Sequence, residues 1–289
     1  MRTGASLTAE YMALFRAIES SRPANSRLFC DPLAILFIHR WRRWLIEMAR
    51  IGLARWLIER LLDWKAPGAR AAGIARTKWI DDRAVAALNT ISQLVLLGSG
   101  FDTRAFRLAS AGRGTAFELD YPETSSAKQA AIGKAIGCLS ENVRFAAIDF
   151  NRQSIGEVLR QAGFSEMRPA CFIWEGVTNY LSAEAVEGVL GQIGKAAEGS
   201  LLLFTYIDRA VLETPARFYG AEKLMSRLRA YGEPWTFGLD PGELAGYLGE
   251  WGMRLTEDLS VAEVWRQAGR PLSQVRGYEF YRLASAYVE

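Results

Sequence analysis

Histidine is nearly absent from this chain, whose 289 residues include only His39. A Ser–His–Asp triad or a metal site with two histidine ligands would have to be built around that single residue. His39 lies between Ile38 and Arg40 in a helical pattern, which favours an ordinary position on a helix. The sequence therefore predicts no histidine-based catalytic centre and no metal site.

Cysteine is scarce as well, and its three positions, Cys30, Cys138 and Cys171, are far apart. This spacing excludes a disulfide framework and a zinc site, and it favours reduced thiols in a cytosol. The N-terminus lacks the basic and apolar regions of a signal peptide, and no apolar run reaches the length of about 18 residues that a membrane span requires. We therefore expect a cytoplasmic protein.

Strong charge of one sign is missing, since the formal net charge is +3 and half of the residues are apolar. This excess is too small to indicate a nucleic-acid partner, so we expect none. The basic residues concentrate between Leu33 and Lys65, where seven arginines and lysines stand against three acidic residues. An electrostatic partner would meet this segment first.

The same basic segment is rich in tryptophan and leucine, and three interpretations of it are open. It could cap the active site with its apolar side buried and its arginines exposed or aimed at an acidic substrate. It could also lie on a membrane surface as a basic amphipathic helix, or form a dimer contact. A hydrophobic pattern alone does not separate these possibilities, but the cap is favoured. The oligomeric state stays open.

Short apolar runs alternate with helical patterns from residue 94 onward. The predicted strands are 94–97, 115–119, 143–148, 170–174 and 200–206, and the helices between them are 104–111, 122–136, 153–163 and 182–197. This alternation predicts a doubly wound, mostly parallel α/β sheet with right-handed crossovers. The stretches 253–259 and 277–287 would complete it with one antiparallel strand.

The preceding residues are helical, at 8–21 with Thr8 as a candidate N-cap, at 33–63 and at 70–89. We therefore expect a helical cap at 1–75 over the active site and an α/β core at 76–289. Residues 208–231 carry a further helical pattern, so we place a helical insertion in the core at about 207–235.

A glycine-containing loop follows the first predicted strand and includes Gly98, Ser99, Gly100 and Asp102. Glycines at such a junction let the backbone turn sharply and approach a ligand. The pattern departs from the dinucleotide fingerprint because Thr103 stands at the third glycine position, and it lacks the Gly-Lys-Ser/Thr of a P-loop. A nicotinamide oxidoreductase is therefore disfavoured.

Acidic residues close the next three predicted strands. Asp120 could accept hydrogen bonds from both hydroxyls of a ribose, or it could cap the helix that begins near Pro122. Asp149 could meet an adenine amino group while Phe150 packs on the ring. Glu175 ends the fourth strand. Open α/β sheets bind ligands at the carboxyl ends of their strands, so these residues predict a binding site.

Five segments together resemble the leucine carboxyl methyltransferase family, which includes bacterial carboxyl methyltransferases that modify polyketides. They are 8–34, 76–82, 94–108, 117–128 and 172–181, and they occur in the family's order over most of the chain. The most specific motifs are G-x-D-T-R, E-x-D and W-E-G-V-x-x-Y-L. The resemblance is weakest at 35–70 and 207–235, where substrate elements of this family differ.

The resemblance implies that S-adenosyl-L-methionine is the cofactor. Arg76 would then hold the cofactor carboxylate and Glu175 its amino group, since the two ends need opposite charges. The remaining implied contacts are Gly98, Ser99, Gly100 and Asp102 with the methionine part and ribose, Asp120 with the ribose hydroxyls, and Asp149 and Phe150 with the adenine.

Two further residues correspond to family positions near the reaction centre, Arg16 and Tyr180. A structural alternative is open for Arg16 and for Arg104, namely an ion pair with an acid such as Asp81 or Asp82. Arg104 would begin a helix, where the dipole disfavours a cation, so a partner carboxylate is expected there.

The scarcity of candidate bases favours a carboxylate as methyl acceptor over a phenol or alcohol. A carboxylate, with a pKa near 4, arrives ionised and needs no general base, whereas a hydroxyl with a pKa of about 10 usually does. We therefore expect a small-molecule or peptide carboxylate substrate, with hydroxyl methylation as the alternative. A non-catalytic cofactor-binding protein is disfavoured, because Arg76, Asp120 and Glu175 are all present.

Overall fold

The computed structural model describes residues 7–108, 114–137, 140–150 and 152–289. Cys138 and the end of the helix expected at 104–111 lie outside these residues. The other two cysteines, Cys30 and Cys171, are free thiols.

A seven-stranded sheet organises the described residues. Its strands are β1 (Gln93–Leu97), β2 (Thr115–Asp120), β3 (Val143–Ala147), β4 (Ala170–Trp174), β5 (Leu201–Ile207), β6 (Met253–Ser260) and β7 (Tyr281–Val288). They lie in the order β3-β2-β1-β4-β5-β7-β6. The first five strands pair in parallel, whereas β7 is antiparallel to both β5 and β6. The expected doubly wound, mostly parallel α/β sheet is thus confirmed.

The helices cover both faces of this sheet. They are α1 (Leu7–Ser20), α2 (Arg43–Ala49), α3 (Gly52–Lys65), α4 (Ala69–Ala87), α5 (Arg104–Arg107), α6 (Pro122–Ile136), α7 (Ile155–Gln161), α8 (Ala183–Ile193), α9 (Ala210–Glu213), α10 (Ala221–Ala230), α11 (Leu244–Gly249) and α12 (Val261–Gln267). None of the described helices combines the length and apolar character needed to cross a membrane.

The central strands are apolar throughout because they are covered on both sides. Every residue of β1 is buried, and its side chains alternate between two hydrophobic cores. Leu94 and Leu96 pack into the core that also holds α1, whereas Val95 and Leu97 pack into the opposite one. This is the expected composition of a parallel strand between two helical layers.

The helix expected at 33–63 is broken. After two short 3-10 turns, α2 ends near Arg50, and α3 begins at Gly52 after Ile51 adopts an extended conformation with φ −86° and ψ 121°. The helix expected at 208–231 is divided in the same way. Pro215 starts a 3-10 turn after α9, and Gly220, at φ +73°, precedes α10.

Helix α3 turns its apolar stripe outward and has no buried residue. Its exposed apolar side chains follow helical spacing and are Leu53, Trp56, Leu57, Leu61 and Trp64. The acidic residues of the helix face the protein instead, where Glu59 pairs with Arg22, and Asp63 with Arg70 at 2.7 Å. The expectation that the apolar side of this segment would be buried is therefore wrong for these side chains.

Burial predicts a clear difference between two leucine truncations. Leu203→Ala, at a fully buried position of β5, should lower the free energy of unfolding by about 2–5 kcal/mol, through lost transfer energy and a residual cavity. Leu57→Ala, with 54% of the side chain exposed on α3, should change it by less than about 0.5 kcal/mol. Urea denaturation measures both. A large loss in Leu57→Ala would contradict the outward orientation of α3.

Candidate active site

A cavity of about 300 Å³ lies at the carboxyl ends of the central strands. It is positioned between β1 and β4, where the strand order reverses and crevices form in sheets of this type. Its walls come from α1, the loop after β1, the ends of β2 and β4, and the segment around residue 235. The site is thus built from α1 and the strand ends of the sheet together.

The loop after β1 is held tightly against the end of β2. The backbone amides of Gly98 and Ser99 donate to the carbonyl of Leu119 at 2.8 and 3.1 Å. Gly98 has φ +68°, and a Cβ there would lie 2.5 Å from a methyl group of Val177. Glycine is therefore required at this position both by conformation and by space. The expected close approach of the backbone to the cavity is present.

Asp120 points back at this loop from the end of β2. One carboxylate oxygen accepts a hydrogen bond from the amide of Gly100, and the other accepts from the amide of Tyr121 at 2.6 Å. Tyr121 itself is the N-cap residue of α6, and that helix has no side-chain cap. Asp120 therefore organises the cavity wall and does not fill the role of helix cap that the sequence left open.

Arg104 is a buried cation that meets three carboxylates. Its Nε donates to Asp81 at 2.6 Å, and its Nη1 donates to Asp102 and to Glu175, each at 2.6 Å. Burial disfavours the charge, but the three carboxylates outweigh it and raise the pKa of Arg104. The expected ion pair between Arg104 and Asp81 is confirmed.

Both carboxylate oxygens of Asp102 accept hydrogen bonds from Arg104, one from its side chain and one from its backbone amide. Burial acts to raise the pKa of Asp102, but the charge of Arg104 prevails and lowers it to about 2. Asp102 lines the cavity. Its contacts nevertheless explain its position without a ligand, so its contact with a cofactor stays a prediction.

Glu175 and Arg76 place opposite charges side by side on the cavity wall. Nε of Arg76 donates to Glu175 at 3.0 Å, and its guanidinium lies 5.0 Å from the ring centroid of Tyr281. The Nη2 atom donates to the thioether of Met12 at 3.0 Å, and sulfur is a weak acceptor. Arg76 can therefore exchange that contact for a stronger anionic acceptor without losing Glu175.

Of the two predicted adenine residues, only Phe150 lines the cavity in the described part of the chain. Phe150 lines the cavity, as do Tyr121 and Thr124, whereas Asp149 is absent from the described wall. The hydroxyl of Tyr121 donates to Asp149 at 3.1 Å. Asp149 therefore orients a residue of the wall, and sequence analysis overlooked Tyr121 although it directly follows Asp120.

Arg16 lines the cavity from α1 and is already paired. Its Nε donates to Asp31 at 2.8 Å, and its Nη2 donates to the carbonyl of Phe101 at 2.6 Å. The alternative of an ion pair is thus confirmed, but the partner is Asp31 and not Asp81 or Asp82. Arg16 joins α1 to the glycine loop.

The rest of the wall is aromatic and carries hydroxyl groups. Tyr180, Trp235, Tyr278 and Tyr281 line it together with Glu233. Burial is the main cause that raises the pKa of Tyr180, and burial also raises that of Tyr278 above its ordinary value. A phenol is already protonated at neutral pH, and the raised pKa extends that state to more alkaline pH, so both hydroxyls can donate hydrogen bonds.

The sequence suggested Thr8 as the N-cap of α1, but Thr8 lies inside the first turn of this helix. Its hydroxyl donates to Glu233 at 2.7 Å. These residues are 225 positions apart, so the hydrogen bond joins α1 to the segment after α10 at one side of the cavity.

A buried ion pair between Lys128 and Glu118 contacts the glycine loop through Ser99. Nζ of Lys128 lies 2.6 Å from Glu118, and the hydroxyl of Ser99 donates to the same carboxylate at 3.3 Å. Burial raises the pKa of Glu118 to about 7 despite the lysine. Ser99 is therefore held by a charged pair that sequence analysis did not assign, although an acid inside an apolar strand was a visible signal.

Comparison with known proteins decides the family. The family model of leucine carboxyl methyltransferases matches residues 9–194. The chain belongs to this family. A Mycolicibacterium paratuberculosis protein named as an S-adenosyl-L-methionine-dependent methyltransferase is 31% identical, and the alignment covers 95% of this chain and 87% of that protein. A Streptomyces coelicolor protein named in the same way is 32% identical over 73% and 72% of the two chains.

The fold agrees with this assignment. A methyltransferase structure from Thermobifida fusca superposes with a TM-score of 0.59 at 20% identity, covering 94% of this chain and 97% of that one. The protein is thus an S-adenosylmethionine-dependent methyltransferase. The cavity suits that cofactor for two reasons. Arg76 and Glu175 place opposite charges side by side on its wall, and the loop after β1 has room only for glycine at residue 98, where a Cβ would collide with Val177.

The residues that sequence analysis missed in this methyltransferase lie mostly near the chain's C-terminal third. Glu233 and Trp235 come from a segment with a turn signal, Gly232 followed by Pro234, that carried no recognisable motif. Tyr278 and Tyr281 belong to a stretch that was predicted only as a strand. Their approach to the loop after β1 depends on packing between distant segments.

The role of Asp120 can be tested by cofactor affinity. Asp120→Ala should weaken binding of S-adenosylhomocysteine by roughly 1.5–3 kcal/mol, because it removes a charged acceptor and loosens the amide of Gly100. Isothermal titration calorimetry measures this. Asp82→Ala is the matched control, since the exposed Asp82 pairs with Lys78 on α4. Unchanged affinity in folded Asp120→Ala would remove Asp120 from the site.

The lowered pKa of Asp102 predicts a pH dependence of stability. Its ordinary value is 3.8 and its value in the folded protein is about 2, so the folded state favours the ionised form. Asp102 therefore contributes roughly 2 kcal/mol to the free energy of unfolding. This contribution is fully present above about pH 4 and is lost as the pH falls toward 2. In Asp102→Asn the decline in unfolding free energy between pH 5 and 3 should be shallower than in the wild type. Identical slopes in urea denaturation would contradict the ion pair with Arg104.

Proposed function

We propose that this methyltransferase transfers the methyl group of S-adenosylmethionine to a carboxylate oxygen of a small molecule or peptide, forming a methyl ester. The observation that carries the proposal is the wall containing Tyr180 and Tyr278. Both residues line the cavity, and their hydroxyls are protonated at neutral pH as ordinary phenols are, so they can donate hydrogen bonds into it. Such donors suit an acceptor that arrives as an anion.

The cofactor supplies a methyl group on an already activated sulfonium leaving group, so the protein mainly positions the acceptor. In the proposed site Arg76 binds the carboxylate of the methionine part, and Glu175 binds its amino group. Asp120 accepts from the ribose hydroxyls, while Phe150 and Tyr121 enclose the adenine. No proton has to be removed from a carboxylate acceptor at neutral pH.

Arg16 and Tyr180 are the proposed residues of the acceptor side. Arg16 keeps its contact with Asp31 and contributes positive potential near the glycine loop. The hydroxyl of Tyr180 donates a hydrogen bond to the substrate carboxylate and holds that carboxylate in line with the methyl group. We further propose that residues 1–75 act as the cap, since α1 supplies Thr8, Met12 and Arg16 to the cavity wall.

Hydroxyl methylation is a second candidate, and Glu233 is the observation that favours it. This carboxylate is 7% exposed and lines the same cavity. A carboxylate there would repel an anionic acceptor, whereas it could remove the proton of a phenol or alcohol. The hydrogen bond from Thr8 reduces the negative charge that Glu233 presents.

Glu233→Gln separates the two candidates. With a carboxylate acceptor the substitution should leave the rate within about threefold or raise it, because no base is needed and a repulsive charge is removed. The wild-type rate should also be nearly flat between about pH 6 and 9. A loss of two orders of magnitude or more in kcat, with a wild-type rate that climbs with pH, would instead assign a hydroxyl acceptor.

The product and a matched variant complete this test. Turnover of isotopically labelled cofactor with candidate acceptors should give a methyl ester that releases methanol in mild alkali. Tyr180→Phe should lower the rate modestly, because it deletes one donor and leaves the acceptor ionised. A product stable to alkali would overturn the carboxylate assignment and leave the cofactor site unchanged.

A further inference from the structure

The segment 41–64 presents an unusual surface that the proposed function does not use. Its exposed apolar side chains, here called the tryptophan face, range from 41% to 77% exposed and are Trp41, Trp44, Met48, Ile51, Leu53, Trp56, Leu57, Leu61 and Trp64. Single exposed apolar residues are normal in proteins, but nine within 24 residues, five of them at helical spacing on α3, indicate an interaction surface.

Most basic residues around the tryptophan face are exposed, whereas most acidic residues of the segment face the protein. Its exposed basic residues are Arg40, Arg50, Arg60 and Lys65, against one exposed acid, Glu47, which pairs with Arg50 at 3.0 Å. The other two acids of the segment, Glu59 and Asp63, pair with Arg22 and Arg70 on the protein side of α3. The outer surface is therefore apolar, aromatic and positively charged.

Two of these tryptophans are accompanied by arginines. The guanidinium of the exposed Arg60 lies 5.0 Å from the ring centroid of Trp56, whereas that of Arg42 lies 4.8 Å from Trp41 but is paired with Glu10 at 3.2 Å. Tryptophan favours the interface between headgroups and hydrocarbon, and arginine beside it can reach lipid phosphates. Side chains of both kinds on one short helical segment are typical of amphipathic helices that lie in the plane of a membrane surface.

We propose that the tryptophan face docks on the surface of a lipid bilayer that contains anionic lipids. A bilayer of this kind satisfies both properties of the face at once, because its hydrocarbon boundary accepts the rings and its negative surface attracts the arginines. A second copy of the chain fits less well. A two-fold contact through this face would place basic residues against the same basic residues.

Docking would bring the membrane beside the cavity. Helix α3 ends at Lys65, and α4 begins four residues later at Ala69, which lines the cavity. From α10, Arg227 donates to the carbonyl of Lys65 at 2.8 Å, and the neighbouring Leu228 lines the cavity too. The docking surface and the cavity wall are thus joined through the same short stretch of chain.

Vesicle co-sedimentation of the full chain tests the proposal. The probes are phosphatidylcholine vesicles, alone or with about a third of phosphatidylglycerol. We expect at least tenfold stronger partitioning to the anionic vesicles, weakening as salt rises. Arg60→Glu lowers the net charge of the surface by two and should weaken partitioning by about thirtyfold. The double variant Trp56→Gln/Trp64→Gln should weaken it by roughly tenfold or more.

Met167→Gln/Arg168→Glu is the matched control, because both residues are exposed and lie outside the tryptophan face. It should partition like the wild type. Unchanged cofactor affinity in every variant shows that the fold is retained. Absence of sedimentation, equal binding to neutral vesicles, or equal loss in the control would overturn the proposal. The proposal would also be overturned if the chain bound no vesicles and light scattering showed a dimer that the tryptophan substitutions abolish.

Discussion

Arg104 carries a charge in a place where water cannot solvate it, and the arrangement of the active site depends on how that charge is paired. A buried cation without partners costs several kcal/mol, so its neighbours must supply carboxylates in good geometry. Asp81 comes from α4, Asp102 from the loop after β1, and Glu175 from the end of β4. Three segments that are distant in the chain are therefore held to one point.

The pairing continues outward from Arg104 in alternating charges. Arg107 shares Asp81 with it at 2.8 Å and also lies 3.7 Å from Asp31. Asp31 holds Arg16 of α1, and on the other side Glu175 holds Arg76. The network thus extends from the first helix to the cavity wall, and it explains why residues of α1 and residues from the strand ends meet in one cavity.

A separate group of ion pairs sets the orientation of α3. Glu59 and Asp63 of α3 serve the arginines behind them, Arg22 and Arg70. The opposite stripe of the helix must then point to solvent, with its leucines and tryptophans exposed. These ion pairs, together with Ile58 and Leu62 packed against the core, attach the helix to the protein and leave its other apolar stripe exposed.

The sequence by itself determined the parallel sheet, the positions of its strands within a few residues, the family and the cofactor. These features rest on local signals, namely short apolar runs, glycine turns and motifs at strand ends. It also indicated that Arg104 needs a carboxylate. Only the tertiary structure decided that Asp31 pairs with Arg16, that Tyr121 stands between Asp149 and the cavity, and that Glu233 and Tyr281 complete the wall. It also decided which side of α3 faces solvent. A hydrophobic stripe defines two faces of a helix, but the partners that choose between them, here Arg22 and Arg70, come from other parts of the chain.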